Sequence, residues 1–119
     1  MGYWLNNQNV SIGEEPFEKD GKHFVPLSDV VQGLGGTTTW DNMSKTATTT
    51  IGQWTAHVSM DDPSVQVNST DGRNQQVNLS AAPFVENDTM YVPWDFFKDV
   101  YGYQTNMQNG EFRAGLQAA

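Results

Sequence analysis

The sequence has no cysteine, only two histidines and few basic residues. Its 119 residues include 6 Lys and Arg against 14 Asp and Glu, which gives a formal net charge of −8. The absence of cysteine excludes a disulfide scaffold and a thiolate metal site. The scarcity of basic residues argues against a nucleic-acid-binding protein, which needs clustered Lys and Arg to neutralise phosphates. No run of apolar residues is long enough to predict a membrane-spanning helix.

The chain nevertheless contains enough apolar side chains for one core. Hydrophobic residues make up 37% of the chain and aromatic residues 12%, so disorder is not expected. The length fits one domain rather than two. Ser, Thr, Asn and Gln outnumber the charged residues, as in many secreted β-proteins. We therefore expect an extracellular or bacterial cell-surface protein whose leader peptide lies outside this sequence, because residues 1–7 do not resemble one.

A repeat with an offset of 67 residues organises the sequence. Residues 16–42 align with residues 83–109 without a gap. Repeats of this kind indicate duplicated supersecondary units. The identical pairs are Pro16/Pro83, Phe17/Phe84, Val25/Val92, Pro26/Pro93, Gly35/Gly102, Thr38/Thr105 and Asn42/Asn109.

Each unit is predicted to form a hairpin, a short helix and a second hairpin. The pairs 20–21 and 87–88 tolerate the positive φ angles of tight turns. Pro26 and Pro93 suit a first helical position, which needs no N–H. Gly35 and Gly102 suit the helix ends, where a left-handed residue is common. The buried helix faces are read from the spacing of Leu27, Val30, Val31 and Leu34, and of Trp94, Phe97 and Tyr101.

The predicted fold class is α+β. Antiparallel hairpins and a β-meander pack around two short helices, in two pseudo-repeats of about 16–51 and 83–117. The segment Thr46–Ile51 carries no Lys, Pro or bulge that would protect a strand edge, and Asn-Gly at 109–110 is a strong hairpin signal. A single domain over 1–119 is expected, with an N-terminal strand or arm at 1–15, repeat 1 at 16–52, the connecting meander at 53–82 and repeat 2 at 83–117.

The motifs in the repeat resemble a known family. Residues 20–27 read DGKHFVPL, and Gly35, Trp40 and Asp41 follow the helix with Lys45 shortly after. This run is similar to the copper amine oxidase N-terminal-like domain, also called the stalk domain, whose pattern couples a Val-Pro-Leu hairpin to a Gly and a Trp-Asp pair. The second copy carries the motif in degraded form. Its matching residues are Val92, Pro93, Trp94 and Gly102.

The resemblance implies antiparallel strands around helices and a stalk or accessory role outside the copper and quinone site of the oxidases. The family's usual Arg after Val-Pro-Leu is Ser28 in the first copy and Asp95 in the second. Any role of that Arg is therefore not transferred to this chain. The family name is no indication of copper binding or oxidation by the chain itself.

The sequence contains few residues of the types that catalyse reactions in enzymes. His23 and His57 fall on different predicted strands, and copper or zinc sites take three or four ligands. The pairs 14–15 and 61–62 are adjacent carboxylates, which point to opposite faces of a strand and cannot together flank a glycosidic bond. We therefore predict no enzyme, no cofactor and no metal site.

The aromatic residues give the candidate binding sites. Trp40 is predicted to be a buried pillar between the first helix and the sheet. Trp54, Trp4, Tyr3 and Tyr103 are the candidate ligand or partner residues. An exposed ring flanked by Asn and Gln amides would suit a sugar, so a polysaccharide-binding module is one alternative.

The leading functional hypothesis is a non-catalytic secreted or cell-surface accessory module that engages other proteins or a cell-envelope polymer. The other alternative is a self-assembling subunit of a surface filament, joined through β-strand edges. None of the three hypotheses involves nucleic acid or a membrane span.

Overall fold

Thirteen short strands and two short helices make up the described part of the computed structural model, which covers residues 3–6, 8–10, 16–108 and 111–115. The helices are α1 (Leu27–Gly33) and α2 (Phe96–Tyr101). The strands are β1 (Tyr3–Leu5), β2 (Gln8–Val10), β3 (Phe17–Lys19), β4 (Lys22–Pro26), β5 (Thr37–Asp41), β6 (Thr46–Ile51), β7 (Trp54–Ser59), β8 (Ser64–Ser69), β9 (Asn74–Asn78), β10 (Phe84–Glu86), β11 (Thr89–Pro93), β12 (Gln104–Gln108) and β13 (Glu111–Gly115).

The strands form three mainly antiparallel sheets, which confirms the predicted α+β class. One sheet has the order β12-β13-β1-β2, the second β10-β11-β4-β3, and the third β5-β6-β7-β8-β9. The N-terminal β1 pairs with β13 in parallel, with Tyr3 opposite Phe112. The N-terminal segment therefore completes a sheet of its own chain.

The two predicted hairpin turns are present. Asp20 and Gly21 have φ of 52° and 80°, and Asn87 and Asp88 have φ of 53° and 63°. Two successive positive φ angles are the geometry that matches the right-handed twist of a two-residue hairpin. The turn predicted at residues 109–110 and the end of the second repeat at 116–117 lie outside the described residues.

The helix starts differ from the prediction. Pro26 and Pro93 end strands β4 and β11 rather than opening the helices. Pro26 is the N-cap of α1, whereas Trp94 and Asp95 form a turn before α2, with Asp95 as its N-cap. Strand pairing explains the change, because β11 continues its ladder with β4 as far as Pro93.

The helix ends use both predicted left-handed glycines. Gly102 has φ of 79° and is the C-cap of α2. Gly35 has φ of 90° and follows the α1 C-cap Leu34. Its N–H donates to the Gln32 carbonyl and the Gly36 N–H donates to the Val31 carbonyl at 2.8 Å, which is a Schellman arrangement.

The core is a continuous cluster of buried apolar side chains from all three sheets and both helices. Val25 of β4 and Val92 of β11 lie opposite each other in the middle sheet and are fully buried. Phe96 and Phe97 of α2 are also fully buried. A smaller cluster of Phe24, Phe84 and Tyr91 packs separately. Burial of this kind stabilises the short helices, which have too few turns to be stable alone.

Two sequence expectations about the five-stranded sheet are wrong. Thr46–Ile51 is the interior strand β6 between β5 and β7, so it has no free edge. Trp40 is 45% exposed instead of buried. It lies opposite the buried Ala47 and points to the core side of the sheet, but β5 is an edge strand and its indole projects past the core.

Candidate functional site

Two of the four candidate aromatic residues are not exposed. Tyr3 is 1% exposed and Tyr103 is 5% exposed. Tyr3 faces the core because side chains alternate along β1, and its ring meets Phe112 edge-on at 6.2 Å. Neither tyrosine therefore presents an exposed ring, although Tyr103 contributes to the wall of the cleft described next.

Trp4 lies on the opposite, outer face of β1 and is half-buried. Its indole Nε1 donates a hydrogen bond to Glu111 Oε2 at 2.7 Å. The Arg113 guanidinium carbon lies 5.3 Å from the centre of the Trp4 ring, and Arg113 Nη2 is 2.7 Å from Glu111 Oε1. These contacts hold the indole in one orientation, and a cation over an aromatic face adds attraction.

Around Trp4 is an open cleft of about 700 Å³, which we call the Trp4 cleft. Trp4 and Asn106 both lie opposite Arg113 in the ladders of the sheet, so these three side chains form a row across three strands. The lining residues are Trp4, Lys98, Gly102, Tyr103, Gln104, Thr105, Asn106, Arg113, Ala114 and Gly115. An indole wall, two side-chain amides and two cations therefore face one cleft.

The Thr105 side chain lies on the other face of the sheet from Trp4, because Thr105 pairs with the buried Ala114. The Thr105 hydroxyl oxygen is buried and has no hydrogen-bond partner among the described residues. Most buried hydroxyls are hydrogen-bonded, because an unpaired one costs free energy.

Trp54 belongs to the five-stranded sheet and is not part of the Trp4 cleft. It is half-buried, and the Arg73 guanidinium carbon lies 4.9 Å from its ring centre. Arg73 Nε is 2.9 Å from Asp71 Oδ2. The hydrogen bond from the Arg73 side chain, with others from Ser69 and the Arg73 backbone, lowers the pKa of Asp71 to about 2. One face of Trp54 is thus covered by the chain itself.

The sequence reasoning missed these two Trp–Arg–carboxylate groups. Each uses an acidic residue followed two positions later by arginine, Asp71 with Arg73 and Glu111 with Arg113. That spacing was the available signal. What the sequence could not show is which indole each arginine would cover, because Trp4 and Arg113 meet only through the parallel β1–β13 pairing.

Trp40, which was expected to be buried, is exposed at the edge strand β5. It forms a wall of a cleft of about 390 Å³, which we call the Trp40 cleft, and of a neighbouring one of about 330 Å³. Asp88 and Met90 line both. The Trp40 cleft is lined by Leu27, Ser28, Asp29, Thr38, Trp40, Ala47, Asp88, Thr89 and Met90.

Metal-ligating side chains are scattered in the described ranges. Residues 3–6, 8–10, 16–108 and 111–115 contain no group of three or more His, Cys, Asp or Glu side chains that could hold a metal ion. His57 lies on the polar face of the five-stranded sheet, with its Nδ1 3.2 Å from Thr48 Oγ1. Neither described helix has the length and apolar character needed to cross a membrane.

Comparison with known proteins gives one match. The family model described as the copper amine oxidase N-terminal domain matches residues 4–113. No curated protein and no solved structure matches the chain. The matched range includes the first hairpin–helix–hairpin unit, the second as far as Arg113 in β13, and most of the Trp4 cleft.

Proposed function

The chain belongs to the copper amine oxidase N-terminal domain family, and on that premise we propose that it is a non-catalytic accessory module of a secreted or cell-surface protein. Its role is to bind a polymer of the cell envelope, and we propose a polysaccharide as that polymer. The described residues offer no ligand set for copper, so no chemistry is derived through that metal.

The main support for this proposal is the set of side chains that line the Trp4 cleft. The Trp4 indole is held by Glu111 and Arg113, and the ring face that Arg113 does not cover can pack against the C–H face of a sugar ring. The exposed amides of Gln104 and Asn106 can donate to and accept from sugar hydroxyls. Because the wall is preorganised, little side-chain entropy is lost when a ligand binds.

The charged side chains that line the Trp4 cleft indicate which class of polysaccharide it would bind. Lys98 and Arg113 both line it, although the chain has a net charge of −8. Arg113 is already paired with Glu111, so the Lys98 ammonium is the group that favours a polysaccharide with carboxylate or phosphate groups at intervals over a wholly neutral one.

A binding screen tests the proposal. The protein is incubated with a panel of soluble and insoluble glycans, neutral and anionic, and binding is followed by tryptophan fluorescence and by sedimentation with the insoluble polymers. We expect retention by an anionic glycan, and about tenfold weaker binding for the double variant Gln104→Ala/Asn106→Ala, since two hydrogen bonds are lost.

A matched control is available on the other sheet. Asn74 and Gln75 of β9 are exposed amides outside the Trp4 cleft, so Asn74→Ala/Gln75→Ala should bind like the wild type. Failure of every glycan to bind, or an equal loss in both double variants, would remove polysaccharide binding through this cleft.

We further propose that the two hairpin–helix–hairpin units are equivalent halves of one module. They share the element order β-β-α-β-β, and β4 pairs with β11 so that Val25 lies opposite Val92, its counterpart at the offset of 67. A pairing in which a residue faces its own counterpart is what a two-fold relation between the halves requires.

Self-association through the exposed polar edge strand β9 is a second candidate function. A concentration-independent monomer mass in light scattering would exclude it.

A further inference from the structure

The Trp40 cleft contains two of the three parts that the chain uses at two of its partly exposed indoles, Trp4 and Trp54. Trp4 is covered by Arg113, which pairs with Glu111, and Trp54 is covered by Arg73, which pairs with Asp71. Trp40 is 45% exposed and has no cation over its ring within the described ranges.

The carboxylates of the Trp40 cleft have no partner among the described residues. Asp29 and Asp88 both line it, and neither makes a side-chain hydrogen bond or an ion pair to another described residue. No Lys or Arg is among its lining residues. The indole and the acids line this cleft, whereas Lys45 lines the neighbouring cleft with Trp40 and Asp88 and donates a hydrogen bond to Asn42 Oδ1.

We propose that the Trp40 cleft binds an arginine side chain presented by a partner protein. The guanidinium would lie over the indole and donate to the carboxylates of Asp29 or Asp88, which reproduces the groups at Trp4 and Trp54. A guanidinium suits this arrangement better than an ammonium, because it is planar and can both stack on a ring and donate two parallel hydrogen bonds.

The remaining walls of the cleft fit the rest of that side chain. Leu27, Ala47 and Met90 supply apolar surface for the methylene groups of an arginine stem. The Thr38 hydroxyl oxygen is buried in the lining without a hydrogen-bond partner among the described residues, so it can accept a hydrogen bond from the ligand. The net charge of −8 attracts a basic segment from a distance.

The probe for this proposal is a short blocked peptide with two arginines in a glycine–serine sequence. Its binding is followed by NMR through the four tryptophan indole N–H signals, with the Trp40 signal assigned from Trp40→Phe. We expect the Trp40 signal to move with increasing peptide while the Trp4 signal stays in place. The same peptide with citrulline, the neutral isostere, should leave both signals unchanged.

Two charge-matched variants separate specific binding from general attraction. Asp29→Asn/Asp88→Asn should weaken binding of the arginine peptide about tenfold or more, because charge-assisted hydrogen bonds are lost. Glu18→Gln/Asp20→Asn removes the same charge from exposed positions of the β3–β4 hairpin and should have little effect.

Three results would overturn the proposal. They are an equal loss in both double variants, a Trp40 signal that does not move, and equal binding of the citrulline peptide. Since Trp4 lines a different cleft, the Gln104→Ala/Asn106→Ala variant should bind the arginine peptide like the wild type. The experiments therefore distinguish a failure of glycan binding at the Trp4 cleft from a failure of arginine binding at the Trp40 cleft.

Discussion

At the scale of single residues, a side-chain hydrogen bond fixes the position of helix α2 against strand β6. Hydrophobic burial alone does not determine that position. Tyr101 is half-buried, and its hydroxyl is 2.6 Å from Thr49 Oγ1 and donates to the Thr49 carbonyl oxygen at 3.0 Å. Thr49 itself is fully buried. Helix α2 is thereby joined to strand β6 across the core. The helical spacing predicted the ring's direction, but a partner 52 positions away in sequence could not be predicted.

Removing this hydroxyl tests its contribution. Tyr101→Phe should lower the free energy of unfolding by about 1–2 kcal/mol at pH 7, because it removes the partner of the buried Thr49 hydroxyl. Urea denaturation followed by circular dichroism measures the change. An unchanged midpoint would show that the hydroxyl contributes nothing to the fold.

Tyr101 also predicts how the free energy of unfolding depends on pH. Burial raises the pKa of Tyr101 to about 12, above the value near 10 of an unfolded chain. The folded protein therefore keeps a proton that the unfolded chain loses. This contribution to stability is complete below pH 10 and is lost between about pH 10 and 12. The stability difference between wild type and Tyr101→Phe should thus shrink across that window in urea titrations, and a difference that grows with pH would contradict the assignment.

At the scale of elements, the local turn and strand signals in the sequence were reliable, and the strand order was not predictable from them. The hairpins β3–β4 and β10–β11 form where their turn residues indicated, because backbone preferences act within a few residues. The positions of Pro93 and Trp40 depend instead on which strand is a neighbour and which is an edge. Those are properties of tertiary pairing, which single-sequence patterns do not contain.

A close approach between the α1–β5 connection and β6 gives a prediction at this scale. A Cβ atom at Gly36 would overlap the Thr50 backbone oxygen and lie 2.7 Å from Ile51 Cγ1. Gly36→Ala should therefore destabilise the fold by about 2 kcal/mol or more, since backbone cannot move aside as a side chain can.

The matched control for Gly36→Ala is Gly21→Ala in the β3–β4 turn. Gly21 has φ of 80° and open space around it, so alanine there should cost only about 1 kcal/mol of backbone strain. Thermal unfolding of both variants compares them. If the two changes cost the same, steric overlap at Gly36 is not the cause.

The N-terminal strand gives a second prediction for an element. Leu5 of β1 is 1% exposed, so Leu5→Ala should cost about 2–4 kcal/mol. Asn9→Ala on the exposed neighbour β2 should cost little. A small effect of Leu5→Ala in urea denaturation would mean that β1 is not an integral part of the fold.

At the scale of the whole molecule, the three sheets place Trp4 and Trp40 at separate clefts of different character. The Trp4 cleft is lined by Lys98 and Arg113, and the Trp40 cleft by Asp29 and Asp88. The motif resemblance predicted the family, which the match over residues 4–113 confirms. Neither cleft was predictable, since the first depends on the parallel β1–β13 pairing and the second on the edge position of β5.

The central claim is that the Trp4 cleft binds a polysaccharide. Its most direct test is an NMR titration of the whole chain with the glycan retained in the screen, following the Trp4 indole N–H and the side-chain amides of Gln104 and Asn106. The account predicts that these three signals shift together and saturate, while the amides of Asn74 and Gln75 stay in place. Shifts confined to β9 or to Trp40, with the Trp4 cleft unaffected, would contradict it.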